Sequence, residues 1–523
     1  MMKSSEPILR VFTRNVEEGR YPDGLAYSVH IELIKEGQTI PVRNNYGMLF
    51  PKATIDERNV IVPSFVNEVR VAPFEYKGEK RYLISGIDCL KDGSENQKSI
   101  GFLYGWVTKD FICFDEMGLV SKEEIEELTG MTVERLRMTD SVPLSKETVD
   151  NMCGYWNQLS FESFDKENGL VTYSDGSVHK KNLAEYPNLK FPLARGFGDP
   201  VILLWNDEYY YIATNDNLND IGLYVRKAHR LDDLFSDDVK MHLILDKDEK
   251  RGFVQTFWAP EFHVIGGNLY ILFAVSNENW GPRCHMMKLK EGGDILKAED
   301  WEEPVRVLRK GGLPLGQNGI TLDMTYVKSG DRHYYVWSYR EHIGSPLDSG
   351  SMLMIGEFSP EKPDELISEP LCLSRPLYGF ENVRGTINNE GPYAFYHGNK
   401  IYLAYSGGDA RGYLYTVGML IANDGDDLLD LAVWEKSKTP ALSLASINGE
   451  YGPGHNSFFK DRDGNWWIAY HCVDAYEERV IADGFRRIHF DINDRPRFDL
   501  SREEDFPEEF RENKIDGGYY GEL

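Results

Sequence analysis

From about Gly196 onward one pattern recurs along the chain: an acid or histidine opening an apolar run, a polar turn, then a second apolar run rich in Tyr or Trp. Short runs of β-branched and aromatic residues bounded by Gly, Asp and Asn predict antiparallel strands joined by tight turns. The first copy runs from Asp199 to Leu204, turns at Asn206-Asp207-Glu208 and returns from Tyr209 to Thr214. The second leads from Trp258 through Gly266-Gly267 to Ala274, and the third from Leu322 through Ser329-Gly330 to Ser338. A fourth leads from Glu390 through Gly398-Asn399 to Ser406, and a fifth from Gly452 through Asp463-Gly464 to His471.

Taking Asp199, Glu261, Asp323, Glu390 and His455 as markers, the spacings are 62, 62, 67 and 65 residues. A repeat of that length holds a four-stranded antiparallel blade with its loops, and five such blades closing radially bring the starts of their inner strands around one axis. The expected fold is therefore all-β: a five-bladed β-propeller over residues 196–500, with an N-terminal accessory β-rich domain over 1–150. Residues 151–195 read as a connector or small β module, and 501–523 as a C-terminal tail. Within the accessory domain, Tyr82 to Ile87 and Gly101 to Val107 read as strands and Glu123 to Met138 as a short helix. An Asp175-Gly176 turn follows the strand at Gly169–Ser174.

Length agrees with more than one domain, because single cores stop growing near roughly 250–300 residues, and the chain has 523. Its 41% hydrophobic and 27% charged residues are those of a globular protein. A net charge of −27 excludes nucleic acid as a partner, since phosphate binding needs a basic surface. The six cysteines form no CxxC pair, which reads as reduced structural thiols. No run approaches the roughly 20 apolar residues that span a bilayer, and Met1 to Pro7 lack the apolar stretch of a signal peptide. The expectation is a soluble, cytoplasmic protein without a membrane partner. It favours short oligosaccharides as substrates, because large polymers do not enter cells.

Three carboxyl groups at strand starts carry candidate chemistry. Breaking a glycosidic bond takes a carboxylic acid to protonate the leaving oxygen and a carboxylate to activate water or attack carbon. Asp199, before Pro200, suits the base; Glu390, one methylene longer, suits the acid that reaches the glycosidic oxygen. Asp323 would lie between them, and a negative neighbour would help keep Glu390 protonated near neutrality.

The motifs Gly198-Asp199-Pro200, Trp258-Ala259-Pro260-Glu261, Glu390-Gly391-Pro392 and Gly452-Pro453-Gly454-His455-Asn456-Ser457, in this order and phase, resemble glycoside hydrolase family 43. The resemblance covers roughly residues 196–495 and departs in the third blade, where Met324 follows Asp323 in place of the family's proline. It implies an inverting glycosidase acting on arabinose- or xylose-containing oligosaccharides, as an exo-acting α-L-arabinofuranosidase, a β-D-xylosidase or both. Endo-acting arabinanase or xylanase chemistry, or a noncatalytic carbohydrate-binding propeller, are the alternatives on the same scaffold. Asp199, Asp323 and Glu390 match the family's base, pKa-tuning aspartate and acid in turn. Trp258, Glu261, Phe197 and Asn456 are the candidates for substrate binding. Trp258 would stack on a sugar ring or serve the core, and Glu261 would position a hydroxyl or pair with an arginine. His455 matches a histidine that faces the axis near a calcium ion held largely by water; a structural Ca2+ with His455 as ligand is the one cofactor expected.

Overall fold

A computed structural model describes residues 6–17, 19–180, 191–473 and 480–505. Within the expected connector, residues 181–190 fall outside the described residues, as does the expected C-terminal tail from residue 506 on. The contacts of the chain divide it into two units: Met1–Glu57 with Ile61–Ser160 and Leu377–Thr386, and Arg58–Val60 with Phe161–Pro376 and Ile387–Leu523.

The first unit is built on two four-stranded antiparallel sheets, one ordered Ser141–Pro143, Ile8–Phe12, His30–Lys35, Gln38–Pro41 and the other Phe65–Tyr76, Glu79–Cys89, Phe102–Thr108, Asp115–Ser121. Their apolar faces meet over Leu9, Ile31, Val71, Ile84 and Trp106, all fully buried or nearly so. The helix expected over Glu123–Met138 is shorter, Lys122–Thr129. Ser121 and Glu124 form a capping box at its start, and Gly130 ends it in the left-handed conformation (φ 67°), where the absence of a Cβ removes the steric penalty.

The second unit opens with a small sheet, Phe161–Asp165, Leu170–Tyr173 and Val178–Lys180, whose last two strands are joined through the Asp175-Gly176 turn. The β-propeller follows. Its inner strands are Phe197–Trp205, Gln255–Ile265, Gly319–Ser329, Asn389–His397 and Tyr451–Lys460. Each packs against the next, and the fifth packs against the first, so the ring is closed. Closure has a further aid: residues ahead of the first blade hydrogen-bond to the third strand of the fifth. Leu193 N–H donates to the Asp483 carbonyl (3.0 Å), Asp483 N–H to that of Ala194 (3.0 Å), and Gly196 N–H to that of Ile481 (2.9 Å). The segment that leads into the first blade thereby adds a further pairing to the last one.

Alternation explains the packing. Second strands such as Glu208–Asn215 and Lys400–Gly407 are buried almost throughout, because both faces lie between neighbouring blades. Phe257, Phe273, Phe395 and Phe458 fill one inter-blade core, and Tyr335, Trp337 and Phe358 another. Each side chain of that size contributes about 1.5–3 kcal/mol on burial, so blade contacts hold the ring without a cross-link.

Candidate active site

The five inner strands share one irregularity. Pairing with the second strand slips between Gly198 and Val201, Trp258 and Glu261, Leu322 and Thr325, Glu390 and Tyr393, and Gly454 and Ser457. At each slip two residues face one, a β-bulge that re-aims a side chain. The first bulged residue always has positive φ: Asp199 58°, Ala259 45°, Asp323 51°, Gly391 55°, His455 41°. For an L-residue that conformation costs about 1–2 kcal/mol, strain of the kind that collects at functional sites. The true structural phase is therefore Asp199, Ala259, Asp323, Gly391 and His455. Glu390 stands one residue before its bulge and Glu261 two after, so these two are not equivalent to the other markers.

A ring of hydrogen bonds caps the bulges. Thr214 Oγ1 accepts from Ala259 N–H (2.9 Å), Asp323 Oδ2 from Gly391 N–H (3.2 Å), Ser406 Oγ from His455 N–H (2.6 Å) and His471 Nδ1 from Asp199 N–H (3.1 Å). Each amide is satisfied by a side chain of the preceding blade, as buried amides require. In the same layer, Thr214 donates to Asp199 Oδ2 (2.5 Å), Ser338 to Asp323 Oδ2 (2.7 Å) and Tyr415 to Glu390 Oε1 (3.0 Å). His455 Nδ1 lies 3.0 Å from Asp199 Oδ1, and a Cβ on Gly391 would meet the His455 ring at 3.0 Å. Asp199, Asp323, Glu390 and His455 are thus brought together at one end of the propeller axis.

Their environments separate the carboxyls. Burial alone would raise Asp199, but the charge and hydrogen bond of His455 hold it well below the usual aspartate range. Burial, and Asp323 second, push Glu390 up to about 8. Asp323 is raised by burial, with His455 opposing and Asp199 adding to the shift. For His455 burial works downward, yet Asp199 and then Asp323 outweigh it and push the imidazole up to about 10. At neutral pH the cluster holds an ionised Asp199, a protonated His455 and a protonated Glu390.

The remaining sequence candidates are distributed differently. Trp258 precedes its bulge, as Glu390 does, and is partly exposed; its indole N–H donates to Asp220 Oδ2 (2.9 Å). Beside it, burial and a hydrogen bond with Asp220 push Asp216 up to about 7 against the pull of Arg411, 3.1 Å away. Glu261 is buried against His263 (2.6 Å), not an arginine. Phe197 lies in a hydrophobic cluster, edge-on to Tyr211 and beneath Arg226, so its ring serves packing and does not join the carboxyls. Asn456 is buried, and among the described residues neither of its amide atoms has a hydrogen-bond partner; the same holds for His455 Nε2. Such orphaned atoms suit water. Among the described residues no group of three His, Cys, Asp or Glu could hold a metal ion, and one imidazole nitrogen falls short of the 6–8 oxygen ligands of calcium.

Sequence reasoning missed Thr214, Ser338, Ser406 and His471, although a signal existed: each is the second-strand residue paired with the position before a bulge. Tyr415, directly before the third strand of the fourth blade (Thr416–Asn423), had no such marker.

Residues 189–489 match the family described as glycosyl hydrolases family 43. A Streptomyces avermitilis protein named extracellular exo-alpha-(1->5)-L-arabinofuranosidase is 32% identical over 283 residues, 53% of this chain and 55% of that protein. One of the same name from Streptomyces chartreusis is 31% identical over 319 residues, 60% of this chain and 90% of that protein. Among solved structures, an alpha-L-arabinofuranosidase from Lactobacillus brevis superposes with a TM-score of 0.52 at 26% identity, covering 61% of this chain and 97% of that one. The chain spans about half the length of the S. avermitilis relative. The cytoplasmic location expected from the sequence is overturned: both Streptomyces relatives are named extracellular, which points to secretion. That expectation rested on a missing apolar run, and an absence of that kind does not fix a compartment. The argument for small substrates from cell entry falls with it.

Proposed function

Because the chain belongs to glycosyl hydrolases family 43, we propose that it is an exo-acting, inverting α-L-arabinofuranosidase that removes terminal arabinofuranose from arabinose-containing oligosaccharides. The observation that carries this reading is the gathering of Asp199, Asp323 and Glu390 into one buried cluster, in which Asp199 faces His455 and Glu390 faces Tyr415 and the neighbouring Asp323. The names of the two Streptomyces relatives support the sugar and the exo action.

The chemistry follows from the charges. Asp199 accepts a proton from a water whose oxygen attacks the anomeric carbon as the bond to the leaving oxygen breaks. Glu390 delivers its proton to that oxygen, so the departing sugar leaves neutral. A carboxylate held as low as Asp199 is a weak base, and its part is as much to orient the water as to take its proton. Asp323 keeps Glu390 protonated by its negative charge and holds the Gly391 amide beside it. His455 is the counter-ion that lets Asp199 stay ionised in a buried place. A structural calcium ion would have His455 Nε2 as its one protein ligand and water for the rest, a set that falls short of calcium's oxygen preference, and no step of the hydrolysis depends on it.

Release of arabinose from 4-nitrophenyl α-L-arabinofuranoside and from α-1,5-arabino-oligosaccharides tests the reading, with 4-nitrophenyl β-D-xyloside as the competing sugar. NMR of the first-formed anomer reads the stereochemistry: inversion is expected, and net retention defeats the assignment of Asp199 as a base. Linear arabinan yielding mixed oligomers instead of monomer would move the protein to endo action.

A further inference from the structure

We propose that His471 and Tyr415 are positioning residues, a stacked pair that fixes base and acid relative to one another across the fifth blade. The proposal rests on the reading of Asp199 and Glu390 as base and acid. His471 is 1% exposed, and its two nitrogens are both used. Its Nε2 lies 2.9 Å from the Ala410 carbonyl, which can only accept, so the ring hydrogen sits on Nε2. Nδ1 is then free to accept from the Asp199 amide, 3.1 Å away. This bond caps the strained bulge of the base, and it joins the last blade to the first. Where the fifth blade uses a histidine, the first and fourth use Thr214 and Ser406 for the same task.

The face of His471 stacks on Tyr415, ring centroids 5.5 Å apart and planes 13° from parallel. Tyr415 donates to Glu390 Oε1 at 3.0 Å. In this bond the phenol is the donor, so Oε1 is the acceptor and the carboxyl proton is left to Oε2. Tyr415 thereby selects which oxygen of the acid carries the proton. The approach of this ring explains a glycine that the hydrolytic chemistry does not need: a Cβ on Gly454 would stand 2.2 Å from Tyr415 Cδ1.

One short segment carries both members' anchors. Between Gly408 and Tyr415 the chain supplies the Ala410 carbonyl to His471, the Arg411 guanidinium to Asp216 of the first blade (3.1 Å) and the Tyr415 hydroxyl to Glu390. Asn388 holds its first residue through the Gly408 carbonyl (2.9 Å). A segment of the fourth blade therefore reaches past the fifth to the first, in contact with the supports of both reacting carboxyls.

The test compares an unactivated substrate, α-1,5-arabinobiose, with 4-nitrophenyl α-L-arabinofuranoside on the full chain. Tyr415→Phe, which removes one oxygen, is expected to lower kcat about tenfold on arabinobiose, to change it little on the aryl substrate, and to leave KM unchanged; the size is that of one hydrogen bond to an ionisable group. His471→Ala is expected to lower kcat about tenfold on both substrates alike, since the base serves both. His471→Asn, whose amide oxygen can accept where Nδ1 does, should restore most of it. A Tyr415→Phe enzyme that loses kcat equally on both substrates, shifts only KM, or retains full activity overturns the proposal, and it decides the acid half even where His471→Ala fails to fold. A wild-type chain that releases arabinose from neither substrate brings down the underlying reading, and this one with it.

Discussion

The starts of the first and fourth blades have the same bulge and opposite chemistry. In Gly198-Asp199-Pro200 the carboxyl belongs to the bulged residue itself, where His455 at 3.0 Å and the Thr214 hydroxyl face it. In Glu390-Gly391-Pro392 it belongs to the residue before, where Asp323 and Tyr415 face it instead. A one-residue offset on equivalent backbone thus turns one carboxyl toward a cation and the other toward an anion. Burial pushes both upward; only the neighbours differ, and they send Asp199 well below its ordinary range and leave Glu390 at about 8. Residue type does not make the base or the acid here.

The broadest way to break this comparison is to remove each carboxyl in turn. Asp199→Asn is expected to lower kcat by about 10³-fold or more on every substrate, because attack by water is common to all. Glu390→Gln should cost roughly 10²–10⁴-fold on arabinobiose and far less on the nitrophenyl glycoside, whose leaving group departs without a proton. Steady-state kinetics on the two substrates would read both; equal leaving-group dependence in the two variants would erase the distinction between the sites.

Much of this was legible in the sequence, and the limits have a physical cause. Five strand starts at near-even spacing carried the propeller, because each blade is a local antiparallel unit whose turns leave Gly, Asp and Asn as markers. The finer phase was not legible. A β-bulge shifts the alternation beyond it by one residue, which a short and mostly apolar run does not reveal, so Glu261 and Glu390 looked equivalent to Asp199, whereas Ala259 and Gly391 hold the matching positions. Phe197 shows the same limit: alternation says that an aromatic at a strand start is buried on one face, not whether that face is a pocket or an inter-blade core. Tyr415 was hidden because it stands before its blade's third strand and no strand-start pairing marks it, whereas His471 was marked only by its pairing with Gly454, and its partners Asp199 and Ala410 lie in other blades.

A narrower change is to keep both carboxyls and remove the neighbour that separates them. Asp323→Asn deletes the second cause of Glu390's raised pKa and leaves burial in place. Wild-type kcat/KM on an unactivated substrate should fall as pH rises through about 8, where Glu390 loses the proton it must donate. In the variant that alkaline limb is expected at lower pH, together with a loss in kcat/KM of about tenfold at neutrality. A limb that stays in place would take Asp323 out of the tuning role.

A smaller effect is expected from the backbone itself. Gly391→Ala places a methyl 3.0 Å from the His455 ring at a residue with φ 55°. The left-handed conformation alone should destabilise the fold by about 1–2 kcal/mol, and displacement of His455 should weaken its hold on Asp199, so that activity falls on activated and unactivated substrates together. Melting curves and aryl-glycoside kinetics would show both; a variant with normal kcat would mean that the ring yields without moving the base.

The smallest expected effect is on stability, and there the two carboxyls have opposite signs. Glu390 keeps its proton up to about 8 in the fold, whereas the unfolded chain releases it near 4.5. Between those values the folded state binds more protons, so this group lowers stability progressively as pH rises from about 4.5 to about 8, with the full penalty above. Asp199 is depressed, so its contribution is present above the ordinary aspartate pKa and is lost as pH falls below it. Glu390→Gln is therefore expected to melt a few degrees higher than wild type at pH 9, with the gain shrinking toward nothing near pH 4.5. Asp199→Asn, which leaves His455 without its counter-charge, should melt lower at neutral pH. Thermal denaturation of the two variants across pH reads the signs directly: a Glu390→Gln protein less stable than wild type at pH 9 would mean that the acid is held in its charged form, and the contrast between the first and fourth blades would be lost.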